Sequence, residues 1–352
     1  MKVPTFIIIA LGVLMVGWFL TRSDSKKIAN QENSGSSEPV EIIARDLDVP
    51  WALAFLPDNS ILLTERKGTV RLVTSDGKLE PNSIATINVK QTGESGLHGI
   101  AVDPDFSKNH FVYLYYTYSG SSDQTLNRVS QFKYENKSLT GEKVLVDKIP
   151  GAIFHDGGRI KFGPDGYLYI TTGDALNPSL AQDKNSLAGK ILRYKDEKVE
   201  VYSYGHRNPQ GIAWDSNGNL FETEHGNSAT DEFNQIQQGA NYGWPDVTGS
   251  ATRAGINSPI LQSGSETWAP AGIAFYNGSF YFGGLRGQAL YQIKLEGAPR
   301  LVIHFKGEYG RIRDVVLGPD NMLYITTSNR DGRGTVKAKD DKIIRVNTSN
   351  LH

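Results

Sequence analysis

The sequence predicts an all-β protein built as a six-bladed β-propeller. One short phrase recurs along the chain, in which an apolar residue leads into a Pro-Asp-Gly-like turn and then a β-rich run. Its copies begin at Phe55, Val102, Phe162, Ala213, Ala274 and Leu317. Successive copies start 43 to 61 residues apart, a period typical of repeat architectures.

Each copy contains turn-forming residues followed by strand-forming residues. Pro fixes φ, Asp bonds the nearby backbone, and Gly accepts a positive φ. The residues that follow, as in 168–172 and 323–327, are β-branched or aromatic, which suits a pleated, half-buried strand. Another strand follows in most copies, for example at 189–194 and 342–346. Six such sheets set radially form a propeller, whose repetition protects the strand edges; two β-sandwiches with unrelated turns are the alternative.

Composition excludes several classes of function. The 352 residues include 37 Lys+Arg and 38 Asp+Glu, a formal net charge of -1. No basic run is interleaved with aromatic residues, so nucleic acid is not an expected partner. Cysteine is absent, which excludes disulfides, cysteine nucleophiles and cysteine metal ligands. The chain also lacks the glycine-rich dinucleotide motif, the P-loop and the serine hydrolase elbow.

The N-terminus predicts export. Residues 1–22 are interpreted as a signal-anchor or signal peptide, because an apolar stretch at 4–20 follows Lys2 and precedes basic residues. Its length lies between a signal-peptide core and a full membrane span. Since no small-residue cleavage pattern follows, an uncleaved anchor helix is favoured. Residues 23–39 read as a flexible linker, and residues 40–352 as the propeller domain. We expect the propeller on the periplasmic or extracellular side, attached to the membrane only through the N-terminal segment.

Two polar clusters suggest a base and an acceptor-binding group. His155 stands before a Gly-Gly pair, and histidine can act as a base near neutral pH; an ordinary loop histidine is the alternative. Arg207 and Asn208 offer a planar fork and an amide, which suit carboxylate or quinone oxygens. A structural pair between Arg207 and a carboxylate is the alternative there.

Two further clusters suggest metal and anion binding. Residues 222–245 are rich in acids and amides and could supply the roughly six to eight oxygen ligands that Ca²⁺ prefers; a hydrogen-bonded acidic loop is the alternative. Arg311 and Arg313 are two residues apart, so on a strand their side chains would point to the same side. Two like charges there need a nearby anion; a strand that faces solvent is the alternative. Arg286 is a candidate third cation. We place Arg66 in an outer turn.

Taken together, these segments resemble the soluble pyrroloquinoline-quinone (PQQ) sugar dehydrogenases, the glucose/sorbosone dehydrogenase family. The matching segments follow one order along the chain: 50–55, 64–66, 93–97, 155–159, 205–210, 224–226, 231–232, 241–245, 269–270 and 310–315. Each fragment is weak alone, but the ordered set is specific. The resemblance implies a six-bladed propeller, in agreement with the repeats.

The resemblance also implies an activity and a set of site residues. The implied reaction is oxidation of an aldose to its lactone by hydride transfer to PQQ, with His155 as general base and an external quinone or cytochrome as electron acceptor. Arg207 is implied as a second catalytic residue. The implied cofactor-binding residues are Glu94, Arg207, Asn208, Arg286, Arg311 and Arg313. The implied Ca²⁺ ligands are Gly226, Asn227, Glu232 and Tyr242.

This sequence departs from the family pattern at several positions. Asp156 stands where Asn is usual, Asn227 where Pro is usual, and Glu94 where Gln is common. Two other functions stay open. A Ca²⁺-dependent propeller lactonase or related hydrolase would need carboxylate and amide ligands from several blades but no arginine cage. A non-catalytic binding propeller on the cell surface would need neither.

Overall fold

Six four-stranded antiparallel sheets make up the part of the chain that the structure describes. The structure, a computed structural model, describes Met1 and residues 40–351. The predicted six-bladed propeller is confirmed. The predicted N-terminal anchor helix and linker lie outside the described residues, so the structure gives them no support. Among the described residues, no helix combines the length and apolar character needed to cross a membrane.

The first strand, β1 (Val40–Ala44), belongs to the last blade. Blade 1 comprises β2 (Pro50–Phe55), β3 (Ile61–Glu65), β4 (Thr69–Val73) and β5 (Ala85–Thr86). Blade 2 comprises β6 (Leu97–Val102), β7 (Phe111–Ser119), β8 (Thr125–Glu135) and β9 (Ser138–Pro150). Blade 3 comprises β10 (Ile160–Phe162), β11 (Leu168–Thr172), β12 (Lys190–Lys195) and β13 (Lys198–Tyr204).

Blade 4 comprises β14 (Pro209–Trp214), β15 (Leu220–Glu224), β16 (Glu232–Ile236) and β17 (Leu261–Gln262). Blade 5 comprises β18 (Pro270–Tyr276), β19 (Ser279–Gly284), β20 (Ala289–Lys294) and β21 (Arg300–His304). Blade 6 comprises β22 (Ile312–Leu317), β23 (Leu323–Thr327), β24 (Ile343–Val346) and β1. The described helices are short: α1 (Phe106–Asn109) and the 3₁₀ turns Ser121–Asp123, Pro178–Ala181 and Thr348–Asn350.

The recurring phrase marks the same hairpin in every blade. Phe55 ends β2, Phe162 ends β10 and Leu317 ends β22, so each copy joins the first strand of a blade to the second. The first strands line the centre, since β2 contacts β6 and β22, and β18 contacts β14 and β22. Because neighbouring strands are antiparallel, the first strands begin at the end opposite these turns. The connections between second and third strands lie at that same end.

The ring is closed by the two ends of the propeller. β1 pairs with β24 in antiparallel register, with Val40 opposite Val346 and Ile42 opposite Ile344. The N-terminal strand thus supplies the outermost strand of a blade whose other three strands come from the C-terminus. Residues Glu38–His352 form one compact unit.

The apolar core lies between blades. Six clusters of buried side chains each join one blade to the next, and together they run right round the ring. Between blades 4 and 5, for example, the rings of Phe221, Phe233 and Phe280 lie 4.5–5.3 Å apart between centroids. Burial of such side chains contributes roughly 1.5–3 kcal/mol each. This packing fixes the first strands and hence the loops that precede them.

Candidate active site

The predicted site residues lie at the end of the channel where the first strands begin. His155 precedes β10, Arg207 and Asn208 precede β14, and Arg311 precedes β22. Glu94 lies just before β6. Since these strands line one channel, residues far apart in sequence are brought together at its mouth.

His155 is held by a buried carboxylate. Its Nδ1 lies 2.8 Å from Asp174 Oδ1, and Asp174 Oδ2 accepts a hydrogen bond of 2.8 Å from Trp244 Nε1. Asp174 is almost fully buried, whereas the side chain of His155 is 15% exposed. Because a carboxylate accepts, Nδ1 carries the proton and Nε2 is the basic nitrogen. This arrangement would suit a general base.

The loop that carries His155 is tightly constrained. Its backbone has a φ of +63°, a left-handed conformation that is uncommon outside glycine and that clusters at functional sites. A Cβ at Gly173 would lie 1.9 Å from the carbonyl oxygen of His155, so only glycine allows this approach. Ala175 N donates to that same oxygen at 3.2 Å. The position of His155 is therefore fixed from two sides.

Arg207 and Asn208 each retain a buried donor without an acceptor. Arg207 donates from its backbone N to Glu224 Oε2 at 2.7 Å and from Nη1 to the His225 carbonyl at 3.2 Å. Asn208 Oδ1 accepts from Gly157 N at 3.1 Å. Arg207 Nε and Asn208 Nδ2 have no hydrogen-bond partner among the described residues. Burial lowers the pKa of Arg207, so an anionic acceptor here would be stabilising.

Arg311 and Arg313 differ in their partners. Arg311 donates from Nε to Asp331 Oδ2 at 2.8 Å, and its Nη2 lies 2.7 Å from that same oxygen. Arg313 Nη1 donates to Gln210 Oε1 at 2.6 Å, while its Nε has no partner in the described part of the chain. Burial lowers the pKa of Arg313 to about 9, which still leaves it cationic at neutral pH.

The expectation that Arg311 and Arg313 share one anion stays a prediction, and Arg311 already has an anionic partner within the protein. Asp331 already neutralises that guanidinium. The register of β22 also shifts between Ile312 and Asp314, so simple alternation does not apply across the pair. Arg313 is the cation of the two that is open to an external anion.

Glu94 and Arg286 lie at the rim. Glu94 forms an ion pair with Arg333. Burial alone would raise the pKa of Glu94, but basic groups around it, among them Arg333 and Arg313, lower it overall. Arg286 is exposed, in the turn between β19 and β20, and makes no hydrogen bond or ion pair with other described residues. Its neighbour Leu285 accepts from Arg311 Nη1 at 3.2 Å, which places Arg286 beside the cluster and not within it.

Sequence reasoning missed several residues of this cluster. The prediction that Arg66 lies in an outer turn is wrong: its side chain is 9% exposed, and its Nε has no partner among the described residues. Trp51 lies beneath the cluster, with its ring centroid 4.9 Å from His98 and 5.6 Å from Arg313 Cζ. Arg66 and Asp174 both follow the second strand of their blade. The strand order within a blade was the signal that could have located them.

A buried acidic cluster lies beside the arginines. The ligand atoms of His206, Glu222 and Glu224 all lie within 4.8 Å of one another. Asn234 Nδ2 donates to Glu222 Oε1 at 2.8 Å and to Glu232 Oε2 at 3.1 Å. Burial, and then the neighbouring carboxylate of Glu224, raise the pKa of Glu222 well above its ordinary value. Glu222 Oε2 has no partner in the described part of the chain, so a cation would be stabilising.

Three of the four predicted metal ligands border this cluster. Gly226, Glu232 and Tyr242 line a cavity of about 20 Å³, together with Glu224, and such a volume accommodates one water molecule or ion. The Tyr242 hydroxyl donates to the Gln235 carbonyl at 2.6 Å, which leaves its backbone carbonyl as the candidate ligand. Asn227 is exposed and does not line the cavity.

Asp156, next to the candidate base, is an ionisable group with neutral partners. It is 3% exposed. Its Oδ1 accepts from Asn127 Nδ2 at 2.9 Å and Ala152 N at 3.1 Å, and its Oδ2 from Ser95 Oγ at 2.9 Å. Burial raises its pKa to about 6. Asparagine would fit this environment, because the Ser95 hydroxyl can also accept.

We expect Asp156→Asn to stabilise the folded protein at neutral pH by about 1–3 kcal/mol, since each unit of raised pKa corresponds to about 1.4 kcal/mol. The folded pKa lies above the unfolded one, so the wild type loses stability as pH rises from about 4 to about 6. The stability of Asp156→Asn should not fall over this pH range. Urea denaturation below and above this range measures both slopes. Exposed Asp196→Asn is the control, and identical slopes in wild type and Asp156→Asn would contradict the prediction.

Comparison with known proteins identifies the family. The glucose/sorbosone dehydrogenase family model matches residues 47–339. The chain is 31% identical to the aldose sugar dehydrogenase YliI of Escherichia coli, over 83% of this chain and 91% of that protein. It is 32% identical to quinoprotein glucose dehydrogenase B of Acinetobacter calcoaceticus, over 59% of this chain and 52% of that protein.

A solved structure shares both the fold and substantial sequence identity. The PQQ-bound form of aldose sugar dehydrogenase from Streptomyces coelicolor superposes with a TM-score of 0.82 at 37% identity. The match covers 87% of this chain and 97% of that one. Family model, relatives and structure agree along nearly the whole propeller. The chain belongs to the glucose/sorbosone dehydrogenase family.

Proposed function

We propose that this protein is a PQQ-dependent aldose dehydrogenase, which oxidises an aldose to its lactone and passes the electrons to an external acceptor. One observation carries the proposal. Beside a histidine oriented by a buried carboxylate lie three buried N–H donors without acceptors: Arg207 Nε, Asn208 Nδ2 and Arg313 Nε. An unsatisfied buried donor costs about 1–3 kcal/mol, so this site favours a ligand rich in acceptors.

The residues present fit PQQ. PQQ is a planar, tricarboxylated quinone, whose oxygens accept hydrogen bonds and carry negative charge. Arg207 and Arg313 supply cationic donors, and Arg66 adds a third buried guanidinium with an unpartnered Nε. Planar guanidinium groups pair well with carboxylates. The relative from Streptomyces coelicolor, which binds PQQ, supports the same assignment.

The geometry supports a catalytic role for each of three residues. When bound, PQQ supplies the two-electron oxidant for the sugar carbon. His155 Nε2 takes the proton of the anomeric hydroxyl, and Asp174 stabilises the imidazolium through Nδ1–H. Arg207, held by the His225 carbonyl and facing Trp244 at 5.3 Å, stabilises negative charge that develops during the reaction.

The acidic cluster supports a role for Ca²⁺. Glu224, Glu232 and Tyr242 line a cavity of ionic size. Oxygen ligands of this kind suit a hard cation such as Ca²⁺. Burial, and then the neighbouring Glu224, raise the pKa of Glu232 to about 8, so a bound cation would replace the proton held there. The cation would stabilise the loops that carry Arg207 and His225.

Reconstitution tests the function. Protein stripped with a chelator should be inactive on aldoses with an artificial electron acceptor. PQQ alone should restore little activity, Ca²⁺ alone none, and the two together full turnover, while NAD and FAD should not substitute. The sugar panel should include mono- and disaccharides. Ca²⁺-dependent hydrolysis of lactones, with no PQQ binding and no aldose turnover, would instead identify the chain as a lactonase.

A further inference from the structure

The central channel holds a second cavity, at the end that carries the recurring turns. Its volume is about 270 Å³. Parts of all six first strands line it, and its walls are mainly apolar. Four isoleucines, one from each of four blades, stand in the wall: Ile100, Ile160, Ile212 and Ile273. The cavity is therefore bordered by the first strand of every blade.

This cavity is separate from the candidate active site. None of the predicted catalytic, cofactor-binding or metal-binding residues is in its wall. Arg159 lines it, and the guanidinium of Arg159 lies 4.4 Å from the ring of Trp51. Trp51 in turn lies beneath Arg313. Arg159 and Trp51 thus form a layer between the two halves of the channel.

The charges in the cavity are not balanced. Both carboxylate oxygens of Asp314 have partners: Oδ1 lies 3.0 Å from Arg159 Nη1, and Oδ2 accepts a hydrogen bond from Leu53 N at 3.0 Å. Lys161 also lines the cavity, and its ammonium makes no hydrogen bond or ion pair with any described residue. The cavity wall therefore contains two cationic side chains and one carboxylate. Burial lowers the pKa of Lys161 to about 8, although the nearby carboxylate of Asp314 acts in the opposite direction.

We propose that this cavity is a binding site for a small monocarboxylate with an apolar tail, whose carboxylate pairs with the Lys161 ammonium and whose tail lies against the isoleucines. A neutral apolar molecule would leave Lys161 unpaired. A polyhydroxylated acid, such as an aldonate, would bury hydroxyl groups against apolar walls, which is costly. The volume lies below the roughly 300–1,000 Å³ of pockets for drug-sized ligands, so the ligand is small.

Titration of hexanoate into protein labelled at the isoleucine methyl groups tests the site directly. We expect saturable shifts at the four isoleucines of the wall. Hexanamide, which has the same shape without the charge, should bind roughly tenfold or more weakly, because a charge-assisted hydrogen bond is lost. Gluconate should not shift these methyl groups. The protein needs no PQQ for this measurement, so its outcome is independent of the proposed function.

Substitution then assigns the carboxylate to its partner. Lys161→Met keeps the aliphatic stem and should lower hexanoate affinity to that of hexanamide. Lys198→Met, an exposed lysine on the outermost strand of the same blade, is the matched control and should bind hexanoate as the wild type does. Unchanged affinity in a folded Lys161→Met would overturn the proposal, as would equal binding of hexanoate and hexanamide by the wild type. The second comparison decides the matter even if the variant does not fold.

Discussion

Replacing His155 with alanine is expected to lower kcat on aldoses by roughly 10²–10⁴-fold, the usual contribution of a positioned general base. The affinity for PQQ should stay close to that of the wild type, because the unpartnered donors belong to Arg207, Asn208 and Arg313. Steady-state kinetics with saturating PQQ and Ca²⁺ measures the first quantity, and a fluorescence titration with PQQ measures the second.

His110→Asn is the control for this variant. His110 is an exposed histidine outside the site with a φ of +59°, a conformation that asparagine tolerates. His98 is a poor control, since it is buried against Trp51 and Tyr115 and its loss would leave a cavity. Comparable losses of turnover in His155→Ala and His110→Asn would remove any special role for His155. A normal kcat in His155→Ala would have the same meaning.

Replacing Arg313 with alanine is expected to weaken PQQ binding by about 1.5–3 kcal/mol, the contribution of a lost charge-assisted hydrogen bond. Arg313 has no carboxylate partner in the described part of the chain and retains a free Nε. Its charge is therefore available to a cofactor carboxylate. Equilibrium dialysis or fluorescence titration with PQQ gives the change in affinity.

Arg311→Ala should behave differently. Its guanidinium neutralises Asp331, whose side chain is 2% exposed, so the substitution leaves a buried carboxylate unpaired. The main expected effect is a lower free energy of unfolding, measured by urea denaturation. Arg253→Ala, at an exposed arginine, is the control for both variants. Unchanged PQQ affinity in Arg313→Ala would show that this arginine has only a structural role, in its bond to Gln210.

The blades could be predicted from the sequence because their signals are local. The turn at 163–166 and the strand at Leu168–Thr172 lie next to each other in the chain, so one window of sequence contains both. The pairing of β1 with β24 cannot be seen in any one window, since Ile42 and its partner Ile344 are about 300 residues apart in the sequence although they are neighbours in the sheet. Nothing in residues 40–44 specifies that partner.

Only part of the candidate site could be predicted from the sequence, for a similar reason. His155, Arg207 and Asn208 stand in glycine- and proline-rich loops, where polar side chains are conspicuous. Asp174 and Arg66 follow ordinary second strands, and only the order of strands within a blade brings them to the channel mouth. The pairing of Arg311 with Asp331 depends on a loop that follows another strand, so the sequence could not distinguish it from an anion-binding arginine. Residues of different blades become neighbours only when the ring forms, so no single segment of the sequence shows that they will meet.

The pairing of β1 with β24 has a consequence for the order of events during synthesis. Because β1 can pair only after β24 has been made, the nascent chain can form most blades while blade 6 still lacks its two outer strands. Val346 must be synthesised before Val40 can pair with it. Contacts between distant parts of a chain form slowly, since a long loop must first be closed. We therefore expect the pairing of β1 with β24 to be a late step of folding, before which newly made protein is open to proteases and to association with other unfinished copies.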